Sequence, residues 1–200
     1  LGTTAALACG YGVADARPGA KPTGTTNVSV VDADGAVAAI SSTLGSGSGV
    51  FTSGFQLNNM LGELDVIGDA PRAPGSRLPS MMSPTIALED DRPRLVVGSA
   101  GSVRLAGAIV QVTAAVVARG LTVDEAIGRP RIHVDPGVVH VEGGWDPSVA
   151  EGLEREGWNV LRWADRNLFF GGTSAVEVTP TGTLGAAGDP RRGGVGIVVA

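Results

Sequence analysis

The residues best suited to chemistry are Gly24-Thr25-Thr26. A threonine hydroxyl is a poor nucleophile until a base stands beside it. One way to supply the base is to place the threonine at a chain N-terminus. Its own α-amine, with a reference pKa near ~8, then accepts the proton at neutral pH, directly or through water. A free amine at Thr25 requires a cut after Gly24. Thr25 can make that cut itself: its hydroxyl attacks the preceding carbonyl, an ester forms, and water releases it. Glycine at position 24 leaves the approach open because it has no Cβ. Taken alone, Gly-Thr-Thr reads as a loop entering a strand, since motifs this short match by chance. The surrounding sequence has to decide.

Other chemistries find little support. Cys9 is the single cysteine, so an internal disulfide is excluded and the redox compartment stays open. His133 and His140 sit seven apart in a strand-like region and read as ordinary strand residues rather than metal ligands. No Cys/His cluster has zinc-ligand spacing, and neither a metal nor a cofactor is expected. The net charge is −5, Lys21 is the single lysine, and no run of Lys or Arg occurs, which argues against a nucleic-acid partner. The longest apolar stretch, residues 105–118, is interrupted by Gln111 and Thr113 and is short for a bilayer, so no membrane span is expected.

The elements that must position Thr25 follow from composition and periodicity. The 200 residues suffice for one globular domain, and 43% hydrophobic with 18% charged residues argues against disorder. The chain begins at Leu1 without a signal-peptide pattern and reads as a fragment or processed product of something longer. Residues 1–9 read as the end of a helix, and residues 10–24 as an exposed Gly/Pro/Ala linker. Residues 25–32 alternate and are β-branched, Asp34-Gly35 signals a turn, and residues 36–43 supply a returning strand. Thr25 therefore opens a β-hairpin and Thr43 closes it.

Residues 45–54 form a glycine/serine loop, either a plain linker or a mobile wall of a site. Residues 65–80, with three prolines and two glycines, must be irregular. Residues 94–98 read as a short buried strand running into a Ser99-Ala100-Gly101-Ser102 turn. A helix over 103–118, apolar nearly all round, should be buried between layers. Thr122 and Glu125 form a capping box for a shorter helix ended by Arg129-Pro130. A strand pair is expected at 131–134 and 138–142 around Asp135-Pro136-Gly137, then an amphipathic helix at 147–157. Strands follow at 158–163, 173–178, 183–187 and 195–199. The pattern is α+β, with helices on antiparallel sheet.

The company that Gly24-Thr25-Thr26 keeps is specific. GTTNVSVVDADG at 24–35, SGFQLNNMLGELD at 53–65, PGSRLPSMMSPTI at 74–86, VGSAGSVR at 97–104, AIGRPRIH at 126–133 and GAAGDPRRGG at 185–194 resemble, in order, segments of the γ-glutamyltransferase small subunit. The resemblance implies the C-terminal part of an αββα sandwich of the N-terminal-nucleophile hydrolase type. It implies a precursor that cuts itself at Gly24-Thr25. Residues 1–24 would be the end of the large subunit and a linker, and 25–200 the small-subunit catalytic region. By position Thr25 is the nucleophile, Thr43 bonds and orients its hydroxyl, and the backbone N–H groups of Gly101 and Ser102 form the oxyanion hole. Ser102 replaces a family glycine, so the hole survives only if φ there is not positive or if Ser102 tolerates it. Read without the resemblance, Ser102 would simply cap the following helix.

The resemblance places substrate contacts at Asn59, Glu63, Ser80 and Met81, and the departures gather there. Glu63 is one methylene longer than the usual Asp. Met60 stands where Gln is frequent, Gly45 where Asn is common, Met81 for the second of two serines, and Asn27 for the usual His. The acyl-transfer machinery is retained while the polar grip on a γ-glutamyl head group thins, which should widen or shift specificity. The implied activity is γ-glutamyl transfer from glutathione or another γ-glutamyl amide to water or to an amino-acid or peptide acceptor. Partnership with the large subunit of the same precursor follows, and the family analogy points to a periplasmic or extracellular setting. The alternatives are a glutaryl/cephalosporin-type acylase, a poly-γ-glutamate processing enzyme, or an inactive fragment with a structural role.

Overall fold

A computed structural model describes residues 5–10, 24–68 and 72–199. Two four-stranded sheets dominate it. The first has strand order β13 (Val195–Val199), β1 (Ala5–Gly10), β2 (Thr25–Val31) and β3 (Val37–Thr43). The second has order β12 (Leu184–Gly188), β11 (Gly172–Val178), β7 (Arg92–Ala100) and β6 (Thr85–Glu89). All neighbouring pairs in both sheets are antiparallel. A third sheet joins β10 (Val160–Arg162), β9 (Val138–Val141) and β8 (Ile132–Asp135), and β4 (Phe51–Thr52) pairs with β5 (Phe55–Gln56).

Burial explains the stacking. In β2 the buried positions are Asn27, Ser29 and Val31, a period of two that turns one face inward. Val31, Ala6 and Ala8 pack against Val96 and Val176 of the second sheet. The other face of that sheet, with Leu95, Val97 and Ala175, packs against α2 (Leu105–Thr113) and α3 (Val123–Gly128) through Ile109, Val112, Val123 and Ile127. β7 and β11 are consequently buried on both faces, as their residues Leu95–Ala100 and Gly172–Glu177 show. The order is sheet, sheet, helices. Among the described residues no helix covers the outer face of the first sheet, where Ile40 is 60% exposed. Three of the four layers of an αββα sandwich are therefore present.

Several expectations hold in detail. Thr25 pairs with Thr43 in the β2–β3 register. Thr122 and Glu125 form the reciprocal capping box. The strand pair around residues 135–137 is β8–β9, and α4 (Pro147–Arg155) starts with proline in its first turn. A short helix α1 (Leu64–Ile67) precedes an irregular stretch over 72–84. The expected linker falls largely on residues 11–23, outside the described residues.

Three expectations are corrected. The Ala-rich segment expected to end a helix is strand β1, paired on both sides by β2 and β13. Alanine favours helix in isolation, but Ala6 and Ala8 alternate into the narrow gap between the sheets, and that packing overrides propensity. The helix expected to be buried all round has a solvent face, with Val110 64% and Val117 48% exposed, because it has sheet on one side only. It begins as a 3₁₀ turn at Ser102–Arg104 and ends as a π-helical turn over Ala114–Ala118. Finally, Ser102 does not cap it: the N-cap position is Gly101, and no side-chain cap bond forms.

Candidate active site

Thr25 and Thr43 face the second sheet with Asn27 and Ser41, since all four lie on the inward-facing rows of β2 and β3. The Thr25 hydroxyl donates to Thr43 Oγ1 at 3.0 Å. Thr43 Oγ1 accepts a further bond from Gly45 N at 3.0 Å and donates to Gly24 O at 3.3 Å. The Gly24 carbonyl also accepts from Leu44 N at 3.2 Å. The Thr25 side chain and the bond before it are thus tied to the end of β3.

Asn27 sets where this edge lies. It is buried, and both ends of its amide are used: Nδ2 donates to Ile40 O (3.1 Å) and Ser41 Oγ (3.0 Å), and Oδ1 accepts from Ser29 Oγ (3.2 Å) and Ser174 Oγ (2.6 Å). It lies so close over β7 that a Cβ on Gly98 would stand 1.9 Å from Asn27 Nδ2. Val31 meets Val96 further back. Stepping along both strands from those contacts brings Thr25 and Gly101 to the same edge of the sandwich.

At that edge β7 gives way to the helix through Gly101 at φ 142° and Ser102 at φ 57°. Ser102 therefore occupies the left-handed region that ordinarily favours glycine. The first N–H groups of a helix lack intrahelical acceptors, so this turn offers free donors at a positive helix end. Gly101 abuts Gly171: a Cβ on Gly101 would lie 2.8 Å from Gly171 Cα. Gly171 is in turn fixed from behind. Arg131 Nη1 donates to Phe170 O and Gly171 O, both at 3.1 Å, and Nη2 to Thr173 Oγ1 at 2.8 Å and Asp189 Oδ2 at 2.6 Å. Arg191 joins Asp189 Oδ1 (3.2 Å) to Glu142 Oε2 (2.5 Å), with both carboxylates fully buried. Burial alone would push the Asp189 carboxyl up, but the Arg131 and Arg191 guanidiniums hold it below the usual carboxylate range.

Beside this network the Arg104 guanidinium stands 4.5 Å over the Phe169 ring. Phe169 packs on His133, His140 and Trp163. His133 and His140 are cross-strand partners whose Nε2 atoms reach the two oxygens of Asp135 at 2.8 and 3.3 Å.

The opposite wall is the loop from Leu44 to Glu63. Ser46 N donates to Asn59 Oδ1 at 2.8 Å, and Ser46 Oγ to Glu63 Oε1 at 3.1 Å. Gly45 lies beneath both side chains. Asn59 and Glu63 are thereby joined, through Gly45, to Thr43. Met60 is half-buried in the 3₁₀ turn Met60–Gly62. Ser80 and Met81 lie on the irregular stretch, where Ser80 Oγ accepts from Met82 N at 3.3 Å. No bond among the described residues joins Ser80 to Thr25 or Thr43, so these two are the predicted residues that the structure leaves apart.

Sequence reasoning missed Asn27 as the inter-sheet tie, Ser46 as the partner of Glu63, and the Arg131–Asp189–Arg191–Glu142 network. Arg131, Asp189 and Arg191 did lie inside the resembling segments, which was the available signal.

The gamma-glutamyltranspeptidase family model matches residues 5–199. The chain belongs to that family. It is 36% identical to the glutathione hydrolase proenzyme of Escherichia coli over 84% of the chain and 31% of that precursor. It superposes on the gamma-glutamyltranspeptidase from Pseudomonas nitroreducens complexed with L-DON with a TM-score of 0.73 and 30% identity, covering 90% of this chain and 100% of that one. It is also 28% identical to the acylase ACY 1 proenzyme of Pseudomonas sp. strain SE83, over 90% of the chain and 33% of that precursor. The chain spans about a third of the length of the curated relatives it matches.

Proposed function

We propose that this chain carries the nucleophile of a self-processing γ-glutamyl acyl-transfer enzyme, with Thr25 freed by cleavage after Gly24. The observation that carries this reading is the Thr25–Thr43 hydroxyl pair at 3.0 Å on the same sandwich edge as the Gly101–Ser102 turn. Thr25 Oγ attacks the donor's amide carbonyl while the Thr25 α-amine takes its proton. The N–H groups of Gly101 and Ser102 receive the oxyanion. The resulting ammonium returns the proton to the leaving amine, and a Thr25 ester remains. Water, or the amine of an amino acid or peptide, then attacks the ester and restores the hydroxyl. Thr43 orients the attacking oxygen, and the Arg131 network holds Gly171 behind Gly101. The family membership supports γ-glutamyl amides, glutathione among them, as donors.

The large subunit of the same precursor is the proposed partner. The uncovered outer face of the first sheet, with Ile40 exposed, supports a fourth layer supplied from elsewhere. The proposed division runs through the chain, residues 1–24 to the large subunit and 25–200 to the small one.

Expression of the complete precursor and a denaturing gel test the reading. A fragment of about 18 kDa for residues 25–200, beginning Thr-Thr-Asn-Val, is expected, and Thr25→Ala should abolish both cleavage and turnover. An uncut wild type would favour the structural remnant instead. The acylase reading draws on Gly45, Met60 and Met81, which thin the polar lining, and on the acylase relative. Release of aniline from glutaryl rather than γ-glutamyl anilide would favour it.

A further inference from the structure

One donor of the buried arginine network has no acceptor. A guanidinium carries five N–H groups. Arg131 uses four of them, on Phe170 O, Gly171 O, Thr173 Oγ1 and Asp189 Oδ2. The fifth, Nε–H, is buried and unbonded, on a residue only 2% exposed. A buried donor without a partner is costly, more so on a charged group. Arg131 borders a cavity of about 130 Å³ among α2, its π-helical turn and α3. Arg119 and Arg129 border it too, and no acidic residue does. Neither of those two arginines forms an ion pair among the described residues. The Trp145 ring lies 5.8 Å from the Arg129 guanidinium and holds it at the cavity. The remaining polar side chains of the lining are already bonded. Gln111 Nε2 donates to Gly107 O and Ile132 O, its Oε1 accepts from Ile132 N, and Trp145 Nε1 donates to Arg131 O.

We infer that this cavity is a binding site for a small monocarboxylate, whose oxygens supply the acceptor that Arg131 Nε–H lacks and pair with Arg129 and Arg119. Three guanidiniums without a lining acid make the site positive, and their planar N–H groups match a carboxylate. Burial pushes the Arg131 guanidinium below its ordinary value, and the neighbouring Arg191 adds to the shift; an anion beside it opposes both. The rest of the lining selects the kind of anion. Ala114, Ala115, Ala126 and Pro130 are apolar and suit a short hydrocarbon tail. Phosphate would turn oxygens toward those walls with no donor to meet them. An amino acid would bring an ammonium group among three cations, with no free acceptor in the lining. The ligand class is therefore a short-chain acid without an amine, such as propanoate or butanoate. The site lies in the helix layer and is independent of cleavage and acyl transfer at Thr25.

The experiment melts the full precursor in rising concentrations of propanoate, alanine or inorganic phosphate at constant ionic strength. A ligand that binds the folded state raises Tm with the logarithm of its concentration, and the curve yields Kd. Propanoate should bind with Kd on the order of 1 mM, a modest affinity for five heavy atoms. Alanine and phosphate should bind about tenfold or more weakly than propanoate. Two variants locate the site. Arg129→Gln removes a cation whose side chain takes no part in holding Gly171, and should weaken propanoate about tenfold or more. Ala114→Leu fills the mouth of the cavity from an exposed helical position without touching an arginine, and should abolish binding. Each variant is compared with its own ligand-free melt, so a change in basal stability does not enter. Propanoate binding that survives both variants would put the anion elsewhere and overturn the proposal. So would phosphate or alanine binding as tightly as propanoate, which would mean general attraction to arginines. A wild type whose Tm ignores all three ligands would mean that the cavity holds water only, and would overturn it as well.

Discussion

The two walls of the site are built by different means. The wall behind Gly101 consists of β7, β11 and the Arg131–Asp189–Arg191–Glu142 network, all buried. The wall that carries Gly45, Asn59 and Glu63 is a loop whose neighbours Val50, Phe51, Phe55 and Leu61 are exposed. The first is held by groups that have no water to fall back on, so a change there costs stability before it alters chemistry. The second is held by a few hydrogen bonds in contact with solvent, so residues can be exchanged at little cost to the fold. Gly45, Met60, Glu63 and Met81 all lie outside the strands of the two large sheets.

The contrast is sharpest for charged residues. Asp189→Asn leaves Arg131 and Arg191 buried beside a neutral amide, and removing one partner of a buried pair typically costs about 3–5 kcal/mol. Glu63→Gln removes a half-exposed acid and should change stability by less than about 0.5 kcal/mol. Denaturant unfolding of the two variants against wild type measures the difference. Comparable losses would mean that the loop wall is as tightly integrated as the other.

Glycine substitutions repeat the comparison at a smaller scale. Gly98→Ala drives a methyl into Asn27 at 1.9 Å, and overpacking of this kind costs about 1–3 kcal/mol. At Gly62 the nearest atom to a new Cβ is Asn59 Nδ2 at 4.0 Å, so Gly62→Ala should be neutral within about 0.5 kcal/mol. Thermal melts of both proteins decide it.

Acid should act on the buried wall first. Asp189 has its folded pKa depressed by Arg131 and Arg191, so it binds a proton less readily folded than unfolded. Its contribution is fully present above the unfolded carboxylate value of about 3.9 and is lost as pH falls through the lower folded value. Wild type should therefore lose stability below about pH 4, with a steeper slope than Asp189→Asn. Urea titrations at stepped pH follow this directly, and parallel slopes would remove Asp189 from the account.

Much of the fold was legible because it is written locally. Alternation and the Asp34-Gly35 turn mark the β2–β3 hairpin and with it the Thr25–Thr43 pair. The cross-strand meeting of His133 and His140 was also available, since both lie equally far from the turn at 136–137. β1 was not legible, because Ala6 and Ala8 carry no strand signal until two sheets close on them. The Arg131–Asp189 bond spans 58 residues and depends on β8, β11 and β12 meeting, which no local pattern encodes. At the site, the resemblance placed Thr25, Thr43 and the Gly101–Ser102 turn. That Gly45 lies against Asn59 and Glu63 needed the distances between them.

The last comparison lies in the turn that follows β7, at Ser102. Its φ of 57° costs an ordinary L-residue roughly 1–2 kcal/mol. Glycine would relieve that strain but lose about 0.5–1 kcal/mol to the greater freedom of the unfolded chain. Ser102→Gly should therefore stabilise the protein by at most about 1.5 kcal/mol and leave turnover unchanged, because the amide keeps its position. Ser102→Val separates conformation from stability. A β-branched residue resists positive φ, so the turn should rotate toward the ordinary helical region and carry the 102 amide away from the oxyanion. The expected signature is a fall in kcat of about a hundredfold with KM little changed, as for loss of one oxyanion donor. A matching rise in KM would place the Ser102 amide in donor binding rather than in stabilising the oxyanion.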